Sequence, residues 1–289
     1  MRAQRDQGFG TLAKIDLAGA PRQVVAELFA EIALAAGPVV MAVYAEGCVA
    51  RTKGDASPVT IADERAEALI IELLAARAMP IPVIAEESAA RGDRMAIGAE
   101  FILVDPLDGT REFLSRNGEF TINLALVRDG TPVVGAVYAP ALERLWLAGE
   151  RAFACVAPVG AALPSPSARR VLRTRAAAPE GLVALASRSH CDPTTEAFLD
   201  KLPIIERRSA GSSLKFCVLA EGQADVYPRF GPTMEWDTAA GDAILRAAGG
   251  IVVAADGGPF TYGKEAAGFK NGGFVAWGDL KSAARARHA

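Results

Sequence analysis

The chain has 289 residues, a hydrophobic fraction of 51% and a formal net charge of −3. That length allows one large domain or two moderate ones, each with its own core. The mild acidity gives no electrostatic case for a nucleic-acid polymer or an anionic membrane as partner, and two histidines, His190 and His288, leave little room for a zinc–histidine or Ser-His-Asp centre.

The opening "MRAQRDQGFGTLAKIDLAGAP" lacks the apolar core of a signal peptide, so residues 1–21 read as a flexible extension. Residues 22–46 carry helical apolar spacing, with Gly37-Pro38 expected to kink or split the helix. The longest uncharged run there, "IALAAGPVVMAVYA", is too short to cross a bilayer, and no integral membrane segment is expected. "SPVTIADERAEALIIELLAARAM" reads as a turn followed by a helix capped by Thr60, with Asp63 at capping-box spacing. "IPVIAEES" and "EFILVDPLDG" are apolar strands that both end in acid, and "REFLSR" is a short helix opened at Thr110. "FTINLALVRDGTPVVGAVYAP" is a hairpin turning at Asp129-Gly130.

Residues 157–170, "APVGAALPSPSARR", are rich in Pro, Ala and Ser. They mark the expected junction between an N-terminal α+β lobe (22–160) and a C-terminal α/β lobe (161–289). In the second lobe "GLVALASRSH" and "GIVVAADG" read as strands. "DPTTEAFLDKL", "GSSLKFCVLAEGQAD" and "EWDTAAGDAILRAAGG" read as helices, the last N-capped by Asp237 and closed by Gly249-Gly250. Blocks of strand and helix predict a layered α/β architecture. Cys48, Cys155, Cys191 and Cys217 have no C-x-x-C spacing and read as reduced thiols of a cytoplasmic protein.

Neither a P-loop nor a strand-linked G-x-G-x-x-G is present, so any chemistry rests mainly on carboxylates. Taken singly, each acid has a structural explanation: Asp105-Pro106 and Asp108-Gly109 are turn dipeptides, Asp63 completes a capping box and Asp237 starts a helix. Glu86 and Glu87 merely end a strand. Jointly, acids at the ends of several apolar elements stand where α/β folds place ligand sites. If Glu86, Asp105, Asp108 and Asp237 converge, their repulsion demands a counter-ion. An oxygen-only donor set calls for a hard cation, Mg²⁺ or Mn²⁺, and a pair of such ions suits phosphoryl transfer to water.

"AEES", "DPLDGTREF" and "EWDTAAG", in this order, resemble the inositol-monophosphatase-like superfamily of metal-dependent, lithium-sensitive phosphatases. "KGDASPVTIAD", "RNGEF", "ASRSH", "GSSLKF" and "YPRFGPT" look like its 3′(2′),5′-bisphosphate nucleotidase branch. The resemblance runs from about residue 22 onward. It implies the superfamily's α+β fold, a layered α/β/α/β/α sandwich of two lobes. It also implies two or three Mg²⁺ ions, with Mn²⁺ as a substitute, held by Glu86, Asp105, the Leu107 carbonyl, Asp108 and Asp237. Asp63 and Thr110 would orient and deprotonate the attacking water, with Lys53 nearby. Glu86, Leu107, Asp108, Gly109, Thr110 and Asp237 would also meet the substrate phosphate, and His190, Ser212, Lys215 and Arg229 the nucleotide and its second phosphate. One departure is Ala85, before Glu86, where relatives commonly carry Ser or Gly.

The activity so implied is removal of the 3′-phosphate from adenosine 3′,5′-bisphosphate by direct in-line attack of a metal-activated water. The 3′-phosphorylated adenylyl sulfate is a second candidate substrate, which links the protein to sulfate assimilation. Expected partners are small-molecule nucleotides only, in a cytoplasmic monomer or homodimer with peripheral membrane association as an open alternative. Rival readings are an inositol-1-phosphate or fructose-1,6-bisphosphate phosphatase and a non-catalytic nucleotide-binding protein. His190, Lys215 and Arg229 argue against the first, and the intact Asp63–Thr110 pair against the second.

Overall fold

The computed structural model describes residues 14–47, 50–52, 58–93, 96–186 and 192–286. α1 (Arg22–Glu46) forms because Val25, Leu28, Phe29, Ile32, Ala36, Val40 and Val43 recur every three or four residues and are buried together. The expected split at Pro38 does not occur: the helix runs through it. Pro38 stands on the exposed side, so the backbone hydrogen bond that its ring removes is lost where water can replace it. The length expectation also fails, because this 25-residue helix is long and apolar enough to cross a bilayer by length and composition alone. Its apolar stripe instead packs against a sheet and the following helix.

A ribbon of β1 (Arg51–Thr52) and β2 (Pro58–Val59) leads into α2 (Ile61–Arg77). Thr60 caps α2 as its sequence predicts: Thr60 Oγ1 accepts from the Ala62 amide at 3.1 Å, and Asp63 Oδ2 accepts from the Thr60 amide at 2.8 Å. There follow β3 (Val83–Ala85), α3 (Glu86–Ala90), β4 (Glu100–Asp108), α4 (Thr110–Leu114), β5 (Thr121–Arg128), β6 (Thr131–Ala139), β7 (Arg144–Ala148), β8 (Ala152–Val156) and β9 (Arg170–Val171). These strands form one sheet in chain order, β3 parallel to β4 and the remaining pairs antiparallel. Asp129 and Gly130, at φ 49° and 70°, make the tight β5–β6 turn that their sequence predicts.

The chain then adds β10 (Leu182–Ala186), α5 (Pro193–Leu199), β11 (Ile204–Ser209), α6 (Leu214–Ala220), β12 (Val226–Arg229), α7 (Glu235–Ala247), β13 (Ile251–Ala254), β14 (Phe274–Trp277) and α8 (Leu280–Ala286). Its strands form a second sheet in the order β11-β10-β12-β14-β13. Gly249 closes α7 with φ 106°, and the Gly249 and Gly250 amides donate back to the Arg246 and Leu245 carbonyls.

The layers follow from which faces are apolar. α1 and α2 cover one face of the first sheet, α6 and α7 fill the space between the sheets, and α5 and α8 cover the far face of the second. β4 has both faces covered: Ile102 and Val104 join the core under α1 and α2, Phe101 and Leu103 the core around α7. A strand buried on both sides is apolar at every position rather than alternating, which is how "FILV" reads. α7 lies so close to β6 that a Cβ on Gly135 would meet the Ala240 carbonyl oxygen at 2.4 Å. The α/β/α/β/α order is the layered α+β sandwich expected.

Candidate active site

The site grows from the C-terminal end of β4. Its pairing with β5 is regular to Asp105↔Asn123 and resumes at Asp108↔Thr121, so one extra residue bulges from β4 between the two acids. A bulge re-aims the side chains that follow it. Asp105 and Asp108, three apart, thereby act on one another instead of pointing to opposite faces. Asp105 Oδ1 accepts from the Leu107 amide at 3.0 Å, which fixes the turn. Gly109 follows at φ 90°, a conformation favouring glycine, and opens α4.

Thr110, the first residue of α4, places Oγ1 3.4 Å from Asp63 Oδ1 and 3.5 Å from the Leu107 carbonyl oxygen. The other Asp63 oxygen is occupied twice by Thr60, from the amide and from the hydroxyl at 2.6 Å. Burial pushes the Asp63 carboxyl up to about 6, against the Thr60 hydrogen bonds and with help from the Glu86 charge.

Glu86, the first residue of α3, raises Asp63, Asp105, Asp108 and Asp237 alike by its charge. Asp105 is 1% exposed; burial, then the charges of Glu86, Asp108 and Asp237, hold its carboxyl well above the usual range. Burial, then Asp108 and Glu86, do the same to Asp237. Asp237 is not the N-cap its sequence suggests. α7 starts at Glu235 after Met234, and Asp237 sits in its first turn with Oδ2 accepting from the Met234 amide at 2.8 Å.

Lys215, Arg229 and Arg111 border the same cavity as these acids. Burial brings the Lys215 ammonium down to about 8 against the pull of Asp108, and burial pushes Asp108 up to about 7 against Lys215. Lys215 Nζ donates to the Ser212 and Ala210 carbonyls at 2.6 and 3.1 Å and lies 5.2 Å from the centre of the Tyr227 ring. Arg229 donates from Nη2 to the Pro232 carbonyl, while its buried Nε has no hydrogen-bond partner among the described residues. Glu86, Asp108, Gly109, Thr110, Ser212, Lys215, Arg229 and Asp237 border one cavity of about 260 Å³. Asp63, Asp105 and Leu107 stand behind its wall. Lys53 and His190 lie outside the described residues.

Several residues that build the site carry no local sequence signal. Thr121, Ser213 and Asn123 form a buried chain: Thr121 and Ser213 share a hydroxyl contact at 2.8 Å, and Ser213 Oγ donates to Asn123 Oδ1 at 2.9 Å. Asn123 Nδ2 points at Asp108 Oδ2 from 3.4 Å. Ser212 does not cap α6; it adopts φ 42° and takes a hydrogen bond from Thr121 at 3.2 Å. Glu67, one helical turn beyond Asp63, is the anchor of the segment bearing Glu86, and its i, i+4 spacing from Asp63 is the one signal that could have found it.

The donor set suits a hard divalent cation: carboxylates and a carbonyl in a polar cleft, with more negative than positive charge. Carboxyls raised above their usual range by burial, and further by one another's charge, are the electrostatic counterpart of that fit. Among the described residues no three acidic, histidine or cysteine side chains close into a ready-made cage. Like charges in a buried site keep apart unless a cation joins them.

The sequence profile described as the inositol monophosphatase family matches residues 22–286. A protein of Salmonella typhimurium named 3′(2′),5′-bisphosphate nucleotidase CysQ is 44% identical over 229 residues, covering 78% of this chain and 89% of that one. Its namesake in Escherichia coli K12 is 41% identical over 235 residues, covering 80% and 91%. The crystal structure of CysQ from Bacteroides thetaiotaomicron, described as a bacterial member of the inositol monophosphatase family, superposes with a TM-score of 0.74 at 40% identity, covering 88% of this chain and 97% of that one. An inositol monophosphatase of Thermotoga maritima, at 22% identity and a TM-score of 0.70, shares the fold. With this profile matched over nearly its whole length, the chain belongs to the inositol monophosphatase family.

Proposed function

We propose that the protein is a Mg²⁺-dependent 3′(2′),5′-bisphosphate nucleotidase that converts adenosine 3′,5′-bisphosphate to AMP and phosphate, with the 3′-phosphorylated adenylyl sulfate as a second substrate. The observation that carries this reading is one cavity bordered both by the acids Glu86, Asp108 and Asp237 and by the cations Lys215 and Arg229. A phosphate under attack needs the cation that the acids would hold, and a second phosphate needs the positive side chains. The names of the relatives at 41–44% identity support it.

Glu86, Asp105, the Leu107 carbonyl, Asp108 and Asp237 would hold Mg²⁺, or Mn²⁺ in its place, which supplies positive charge for the phosphoryl and leaving-group oxygens. The chain's own residues handle water and substrate. Thr60 fixes Asp63 Oδ2, leaving Oδ1 and the Thr110 hydroxyl to position the attacking water in line with the bond that breaks. Asp63, at about 6, is mostly ionised above neutrality and accepts the proton that water releases. Lys215 and Arg229 hold the second phosphate, Ser212 borders the nucleoside, and His190 is assigned to the same ligand from its sequence. In this reading residues 22–160 are the metal-binding lobe, residues 161–289 the lobe that brings Asp237 and the nucleotide contacts, and the enzyme works in the cytoplasm as a monomer or homodimer.

The test is phosphate release from adenosine 3′,5′-bisphosphate, inositol 1-phosphate and fructose 1,6-bisphosphate in parallel, with Mg²⁺, with a chelator and with added Li⁺. Turnover of the nucleotide above the two sugar phosphates, abolished by chelation, is the expected result. A preference for inositol 1-phosphate, or no release from the nucleotide, overturns the reading.

A further inference from the structure

Glu67 is 2% exposed and sits on α2 one turn beyond Asp63, yet nothing in the chemistry above uses it. A carboxylate so deep must have its oxygens occupied, and its partners all belong to the segment that carries Glu86. Oε2 accepts from the Glu87 amide at 2.7 Å. Oε1 accepts from Ser88 Oγ at 2.7 Å and from Arg91 Nη2 at 3.2 Å, and Arg91 Nη2 also donates to Ser88 Oγ at 2.9 Å.

The reason for such a long-range anchor is local. α3 begins directly at the end of β3, and its N-cap position is Ala85, whose side chain has no oxygen to satisfy the first free amides. Glu67 does from a neighbouring helix what a capping side chain would do from within. The consequence reaches Glu86, the residue before the captured amide and the first of α3. α2 thus fixes two things with one face: Asp63 through Thr60, and the start of α3 through Glu67.

We propose that Glu67 is a positioning residue for Glu86, holding its carboxylate at the metal site and setting its place relative to Asp63. This rests on the assignment of Glu86 as a metal ligand. Side chains that orient ligands from behind change metal affinity by about 10- to 100-fold when removed. A purely structural carboxylate would change stability and leave that affinity alone.

Binding of Mn²⁺ to the full chain, followed by electron paramagnetic resonance of the free ion, needs no substrate and therefore separates this proposal from the choice of nucleotide. Glu67→Ala is expected to weaken Mn²⁺ binding about 10-fold. Arg91→Ala, which leaves the Glu87 amide bonded to Glu67, should stay within about twofold of the parent. In a Glu86→Ala background, adding Glu67→Ala should change Mn²⁺ affinity less than about twofold, since the residue acts through Glu86. Glu67→Gln keeps the bulk and one acceptor for the Glu87 amide; it should fall between parent and Ala and serves if the Ala variant does not fold. Parent-like Mn²⁺ affinity in a folded Glu67→Ala, losses that add in the double variant, or collapse of both Glu67 variants in chelator would overturn the proposal. Parent-like binding in Glu86→Ala removes its premise and overturns it too, whereas failure to hydrolyse the nucleotide leaves all of these readouts in place.

Discussion

Thr110 Oγ1 stands 3.4 Å from Asp63 Oδ1, at the long end of a hydrogen bond, while the second Asp63 oxygen is held twice by Thr60. One carboxylate therefore does two jobs with two oxygens: one starts a helix and the other faces the cavity wall. The capping role of Asp63 makes rigid the orientation that the proposed catalytic role needs.

Asp63→Asn keeps a carbonyl oxygen for the Thr60 amide but cannot take a proton from water. We expect kcat to fall by about 10²-fold or more with KM little changed, read from steady-state phosphate release. Thr110→Val should lower kcat too, and Asp63→Asn and Thr110→Val combined should lose less than the sum of the two.

The metal-free protein should have an unusual pH dependence. Asp63 and Asp108 titrate at about 6 and about 7 in the folded state, above the 3.8 of a free carboxyl, so the folded chain binds more protons than the unfolded one between those values. The stability they contribute is complete below pH 3.8 and is lost as pH rises through 6 and 7. Asp108→Asn removes part of that loss. In chelator, its melting temperature should exceed that of the parent at pH 8, with the gap closing toward pH 5. A parent that melts no lower than Asp108→Asn at pH 8 would contradict this.

Lys215 is buried and its ammonium is held by two backbone carbonyls, so removing it deletes a fixed charge rather than a mobile one. Lys215→Ala should raise KM for the nucleotide bisphosphate about 10-fold or more, the range for a charge-assisted contact, and change the inositol 1-phosphate rate little. Parallel kinetics on both substrates check it.

At Gly135, the close approach of α7 leaves no room for a methyl group. Gly135→Ala should destabilise the fold by about 1–3 kcal/mol, measured by urea unfolding, because backbone on both sides would have to move. If the variant unfolds with the parent's midpoint, α7 does not pack as closely as described.

How much was legible follows from where each signal resides. Thr60 with Asp63, Asp129-Gly130 and Gly249-Gly250 are local chemistry, and each acts where its sequence places it. Asp237 was three positions off as a cap, because Met234 ends the preceding segment without a capping side chain and the helix starts earlier. Pro38 suggested a break that the buried stripe of α1 overrides. Glu67, Asn123 and Ser213 were illegible for a different reason. Their partners lie 20 to 24 residues away for Glu67 and 90 for the Asn123–Ser213 pair, so apart from the i, i+4 spacing of Glu67 from Asp63 nothing in their own neighbourhood marks them. The acids at strand ends were readable as a set, because turn residues and buried strands each leave a pattern.

α7 has its first turn in the cavity and its body between two sheets, with Trp236, Ala239, Ala240, Ile244 and Leu245 all buried. No cut through the loop at 157–170 could therefore yield a working half. An N-terminal fragment would lack Asp237 and expose the face of β4, β5 and β6 that α7 covers, and a C-terminal fragment would carry that helix with one apolar side bare. The Asp237 carboxylate reaches the cavity only where the two sheets close around the helix that bears it, so the metal centre proposed above is a property of the assembled sandwich and of neither half.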